Sequence, residues 1–135
     1  FLLYEYRETI VSIAFARLYY TQKLYNKAIK VILKTEFNDF LMSLSARLLL
    51  TKIYIETKDF DVAENHISTF KKYIRRQKSI GYHKESVLKF LVLCEQLISC
   101  LNASKKQQKL FQLQLSNDNS LIEKQWLLEQ LKKSL

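Results

Sequence analysis

The most reactive side chains in this sequence are two histidines, His66 and His83, and two cysteines, Cys94 and Cys100. A transition-metal site needs several such ligands at short, recurring spacings. Neither histidine is spaced with a Cys or Glu in a ligand pattern, so no metal is expected. His66 reads as a helix-surface residue and His83 as a position near a helix start. Cys94 and Cys100 lie six apart on one expected helix. At about 100° per residue they point about 120° apart and differ by about 9 Å in rise, beyond disulfide reach. Two buried free thiols are therefore expected, inert in an apolar helix and suited to a reducing cytoplasm. A lone glycine, Gly81, leaves no phosphate-cradling loop, and no serine or cysteine stands in a recognised nucleophile context. A nucleophile–base pair assembled only in space stays open. The expectation is a chain with no catalytic residues, metal or cofactor.

Charge offers a second kind of chemistry. Lys71, Lys72, Arg75, Arg76 and Lys78 form a basic cluster near the end of an expected helix. Positions 71, 75 and 78 share one face, as do 72 and 76. Residues 71–109 carry ten lysines and arginines against two acids, Glu85 and Glu95, which gives +8 of the formal +9. Three readings compete. Cations near a helix C-terminus complement the macrodipole. A basic patch can meet phosphates or an anionic surface. It can also pair with acidic groups on a partner or elsewhere in a longer chain. The nearby Phe70 falls on a core stripe, and no known nucleic-acid module is present, so nucleic acid is the weakest partner class.

The elements that would position these residues are helical. The chain has 135 residues, no proline and one glycine, which leaves few sites for hairpin turns. Hydrophobic residues are 48% and charged residues 26%, the balance of a single globular domain. No apolar run reaches the roughly 18 to 20 residues that a membrane span needs. Apolar spacings of three and four give helices at about 1–22, 26–35, 39–57, 60–79, 83–102 and 104–115. Ile10, Ile13, Ala14, Ala16 and Tyr20 face inward on the first, with Ala28, Ile29, Ile32 and Leu33 on the second. Leu41, Leu44, Leu48, Ile53 and Ile55 do so on the third, and Ala63, Ile67, Phe70 and Ile74 on the fourth. Asn38 or Asp39 and then Asp59 are the expected N-caps, and Gly81 the residue that closes the fourth helix. Ser116-Asn117-Asp118-Asn119 is a turn. A last helix follows it, capped by Asn119 or Ser120 with Glu123 completing a capping box.

Two stretches repeat each other 35 residues apart. Phe15, Ala16, Tyr19, Tyr25 and Ala28 in the first answer to Leu50, Thr51, Tyr54, Phe60 and Ala63 in the second. This set of positions resembles the tetratricopeptide repeat family. In that family a large apolar residue, a small neighbour and an aromatic lie on helix A, followed by a second aromatic near the turn and an alanine that opens helix B. The resemblance covers about residues 9–77. It departs from the family at the helix-A glycine, here Ala16 and Thr51, and at the turn glycine, here Lys23 and Lys58. Adding another 35 lands on Glu85, Lys89, Glu95 and Ile98, where the pattern stops. The remaining helices resemble the closing cap of degenerate tetratricopeptide-like bacterial proteins.

The resemblance implies an α-α superhelix of antiparallel hairpins with C-terminal capping helices, and a concave surface on helix A. Carried over, that surface holds Ile10, Ile13, Arg17, Tyr20 and Thr21 in the first unit and Ser45, Leu48, Lys52, Ile55 and Glu56 in the second. Arg17, Tyr20, Lys52 and Ile55 are the expected partner-binding residues, with Arg17 and Lys52 in one register suited to an acidic peptide. Ile13 and Leu48 stand where the family's carboxylate-clamping lysine would be, so a chaperone-tail clamp is not expected. The function implied is a non-enzymatic protein-interaction scaffold. A helical sensor or regulatory region of a longer protein is the alternative, and nucleic-acid binding through 71–109 the third. With no initial Met, the chain is expected to be part of a longer one.

Overall fold

The computed structural model describes residues 2–78 and 81–134. Among them seven helices and no strand occur: α1 (Leu2–Thr21), α2 (Tyr25–Lys34), α3 (Phe40–Glu56), α4 (Phe60–Arg76), α5 (Gly81–Leu101), α6 (Lys105–Asn117) and α7 (Lys124–Ser134). The all-helical expectation is met. The chain divides into two compact units, Phe1–Asp59 and Phe60–Leu135. The boundary falls inside the second sequence repeat, because α3 clusters with α1 and α2. Sequence spacing marks which helices are alike, not which ones cluster.

The first unit is built on small residues. Ala16 and Ala28 are fully buried and Ala46 nearly so, with Ile32, Leu49, Leu50 and Ile53 around them. Alanine at these contacts lets helix backbones approach closely. Tyr19, Tyr20, Tyr25 and Tyr54 pack half-buried against this cluster. Asp39 is the cap of α3, its carboxylate accepting from the Met42 N–H at 3.0 Å, which satisfies one of the free donors of the first turn.

The turns after α1 and α3 are the same turn. At the first, the Lys23 N–H bonds the Tyr20 carbonyl (2.9 Å) and the Leu24 N–H the Tyr19 carbonyl (2.8 Å). At the second, Lys58 bonds Ile55 (3.0 Å) and Asp59 bonds Tyr54 (3.0 Å). Nested 6→1 and 5→2 bonds define the Schellman motif, which needs a left-handed residue at C′. Lys23 at φ 61° and Lys58 at φ 60° fill that place, where glycine would be least strained. Burial repeats too. Ala16 and Thr51 are both fully buried, as are Ala28 and Ala63. The large apolar position does not follow: Leu50 is core, while Phe15 is 49% exposed.

Phe15 belongs to the outer side of α1. At about 100° per residue, Tyr4, Val11, Phe15 and Leu18 fall within about 60° of one another, opposite Thr9, Ile13 and Ala16. The second group is buried and the first exposed. The same geometry corrects three inward assignments: Ile10, Leu33 (67% exposed) and Leu41 (62% exposed) lie off the arc their helices bury. Ala14 is exposed as well.

In the second unit α4 buries Ala63, Ile67, Phe70 and Ile74 completely, as its spacing demands. Phe90 of α5 meets Trp126 of α7 with ring centroids 6.1 Å apart. Helix α4 stops at Arg76, earlier than expected: the Gln77 N–H turns back to the Ile74 carbonyl and its side-chain amide to the Tyr73 carbonyl. Gly81 does not close α4; it opens α5. Ser79 and Ile80, part of the same expectation, lie outside the described residues.

The expected capping box of the last helix does not form. The Asp118 carboxylate accepts both the N–H (2.9 Å) and the hydroxyl (2.6 Å) of Ser120, an Asx turn that commits Ser120 before the helix begins. Glu123 precedes α7 with φ 56°, and its carbonyl takes the first helical bond from Leu127. Elsewhere a buried glutamine does the capping. The Gln108 side-chain amide donates toward the Cys100, Leu101 and Ala103 carbonyls at 3.1–3.4 Å, closing the end of α5 from α6.

Two outcomes test these readings by thermal melting. Lys23→Gly or Lys58→Gly relieves a left-handed strain of about 1–2 kcal/mol against a glycine entropy term of about 0.5–1 kcal/mol. Neither substitution should lower Tm, whereas Val at either place should lower it. Gln108→Leu removes the side-chain donor from the half-buried Leu101 and Ala103 carbonyls, while the Cys100 carbonyl keeps the Ala103 N–H, and should destabilise by about 1–3 kcal/mol. A neutral effect would mean that water caps α5 equally well.

Candidate functional site

Three helix ends of the first unit converge on one carboxylate. Tyr20 closes α1, Tyr25 opens α2, and Lys52 and Glu56 stand one turn apart at the end of α3. The tight turn at Lys23 brings the two tyrosines together, ring centroids 6.1 Å apart and edge to face. Glu56 then accepts from both phenols: Oε2 from the Tyr20 hydroxyl and Oε1 from the Tyr25 hydroxyl at 3.0 Å. Lys52 Nζ sits 5.4 Å above the Tyr20 ring, a cation–π contact. Partial burial, and then the bond and charge of Glu56, push the Tyr25 phenol up to about 12. The phenol is held neutral and donating, which ties helices together and supplies neither base nor nucleophile.

The expected partner-binding residues separate here. Arg17 is exposed, and Tyr20 and Lys52 are half-buried and engaged with each other. Ile55 is 2% exposed, so it lies in the protein interior and cannot line a surface. Of the other helix-A positions, Thr21 is exposed, Ile13 is buried, and Ser45, Leu48 and Glu56 are half-buried. The pairing of Tyr25 with Glu56 was not foreseen. Its signals were Glu56 four residues after Lys52 and two tyrosines flanking one tight turn.

The basic cluster is partly consumed by its own unit. Lys71 is ion-paired with Glu95, joining α4 to α5. Lys84 Nζ donates to the Arg75 carbonyl at 3.2 Å. Lys89 reaches Asp118 Oδ2 at 2.6 Å and the Ser120 hydroxyl; Lys89 first, and Ser120 next, hold the Asp118 carboxyl well below the usual carboxylate range. Lys72, Arg75, Arg76 and Lys78 are exposed, and Arg75 and Arg76 occupy the last turn of α4, where cations suit the macrodipole.

A groove lies within the second unit. Val92, Gln96 and Ser99 of α5 and Leu110, Phe111 and Gln114 of α6 line an open groove of about 700 Å³. Cys100 lies at the same groove but is 8% exposed. Burial pushes both thiols up, Cys94 more strongly, with Glu123 and Glu95 adding to its shift. They are free cysteines and stay as unreactive thiols. His66 is half-buried against Phe70, centroids 5.7 Å apart, and His83 is exposed. Among the described residues no group of His, Cys, Asp or Glu is placed to hold a metal ion, and no helix is long and apolar enough to cross a membrane.

Tyr25→Phe should destabilise the protein by about 1.5–3 kcal/mol, the range for a hydrogen bond to a charged acceptor. Absorbance titration should find one tyrosine near pH 12 in the wild type and shifted toward 10 in Glu56→Gln. A folded pKa raised above the unfolded 10.0 makes this contribution complete below pH 10 and lost as pH rises toward 12. Unchanged titration in Glu56→Gln would disprove the assignment. In comparisons with known proteins, no family model, no curated protein and no solved structure matches this chain.

Proposed function

We propose that this chain is a non-enzymatic helical-repeat scaffold of the tetratricopeptide-like kind, which binds a protein or peptide partner. The observation that carries the reading is the turn at Lys58, which repeats the turn at Lys23 bond for bond at an offset of 35 residues. A period that returns in backbone hydrogen bonds and in fully buried small residues supports a true repeat over coincidental spacing. Repeat helices of this class stack to form extended binding faces.

The partner surface in this reading includes exposed Arg17 and the outer stripe of α1. Phe15 and Leu18 are each 49% exposed, and contiguous apolar exposure on one helix face is typical of an interaction surface. Nucleic acid is a weaker reading, since Lys71 and Lys89 are committed to Glu95 and Asp118 within their own unit.

The test is affinity capture from the source cells, followed by calorimetry of the purified captured protein against variants. Arg17→Glu, and separately Phe15→Ser with Leu18→Ser, should each weaken binding by about tenfold or more, as truncating interface anchors does. Circular dichroism should be unchanged in both. Full affinity in both variants would reject the α1 surface. Capture of nucleic acid with a steep salt dependence would reject the protein-partner reading.

A further inference from the structure

The C-terminal end of α4 holds cations that the fold does not use. Lys72, Arg75 and Arg76 lie within about 100° of one another around the helix and within about 6 Å along it. Lys72 stands opposite Ala63 on the helix circumference, so this arc faces away from the buried stripe of Ala63, Ile67, Phe70 and Ile74. All three cations are exposed. Among the described residues no ion pair engages them; the acid that reaches α4, Glu95, is taken by Lys71. The sequence has no Asp or Glu between Glu64 and Glu85.

Stabilising the helix end does not account for this set, because the last carbonyls of α4 have other donors. Gln77 gives its N–H to the Ile74 carbonyl at 3.1 Å and its side-chain amide to the Tyr73 carbonyl at 3.4 Å. Lys84 of α5 gives its ammonium to the Arg75 carbonyl at 3.2 Å, which brings a fourth cation to the same place. Like charges gathered without a counter-charge repel one another, and a bound anion removes that repulsion.

Size and surroundings narrow the anion. Even a small nucleic-acid module buries roughly 600 Å² or more, beyond what one turn of a single helix presents. A bilayer is held by apolar side chains set beside the basic ones. Among the described residues the exposed large apolar side chains of this unit are Val62, Val92, Leu110 and Leu113, none of them in the last three turns of α4. A carboxylate carries one charge, whereas a phosphomonoester carries close to two on three acceptor oxygens, and the planar fork of an arginine matches it bidentately. We propose that the end of α4 binds a phosphoserine or phosphothreonine on a partner's polypeptide segment, held by Lys72, Arg75, Arg76 and Lys84.

The source of the phosphoryl group rests on the protein-partner reading above, but the site shares no residue with the α1 surface. The probe is a rhodamine-labelled peptide of roughly ten residues, too short to form a helix of its own, with one phosphoserine in an otherwise uncharged sequence. The whole chain should bind it saturably, and the unphosphorylated peptide about tenfold or more weakly. Arg75→Gln with Arg76→Gln should weaken binding by about tenfold or more, and Arg75→Lys with Arg76→Lys, which keeps the charge without the fork, should recover only part of it. Both positions are exposed, so the circular dichroism and Tm of these variants should match the wild type. Phe15→Ser with Leu18→Ser should bind this peptide as the wild type does, so failure here and failure of the α1 surface are told apart. Equal binding of the two peptides, undiminished binding by the glutamine variant, or complete recovery by the lysine variant would overturn the proposal. So would phosphatidic acid vesicles or duplex DNA that bind the chain while the phosphopeptide does not.

Discussion

Two left-handed lysines hold the folding pattern of this protein in place. With no proline and a single glycine in the sequence, the left-handed C′ positions that end α1 and α3 fall to Lys23 and Lys58. Each accepts an unfavourable backbone conformation because two nested hydrogen bonds fix it there. The reversal after α1 lets Ala16 and Ala28 bury completely, and it sets Tyr20 and Tyr25 edge to face over Glu56. A looser connection would lose both the alanine contact and the shared carboxylate.

Polar groups in this protein are mostly fasteners. Glu56 joins the ends of three helices through two phenols, and Gln108 closes α5 from the neighbouring helix. Lys71 and Lys89 secure α5 at two points through Glu95 and Asp118. The formal +9 therefore overstates the positive charge left unpaired within the fold. What stays outward is one set at the end of α4 and another along α6, and the second lies beside exposed leucines.

Apolar surface is distributed in a related way. Helix α1 is apolar on both sides, with alanine and isoleucine inward and Tyr4, Val11, Phe15 and Leu18 outward. A helix that is hydrophobic all round ordinarily has neighbours all round. Helix α6 shows Leu110 and Leu113 outward while Phe111 and Leu115 are buried. Each unit thus carries an apolar face of its own, one convex along a helix and one recessed between two helices.

The sequence by itself determined the helices, the inward stripe of α4, the Asp39 cap and the 35-residue echo, because all of these are short-range. Periods of three and four, and caps within three residues, are written in neighbouring positions. The resemblance to a repeat family marked Lys23 and Lys58 as places where glycine would be usual. Tertiary structure decided what depends on contacts between helices. It joined Tyr25 to Glu56, committed Ser120 to Asp118 in place of a capping box, and withdrew Lys71 from the basic cluster. Helical period fixes an angle around an axis, but the arc that is buried depends on where the neighbouring helices lie. A lysine's reach likewise exceeds the spacing of the residues around it. Charge and hydrophobicity were therefore legible along the chain, while the partners that absorb them were set only by packing.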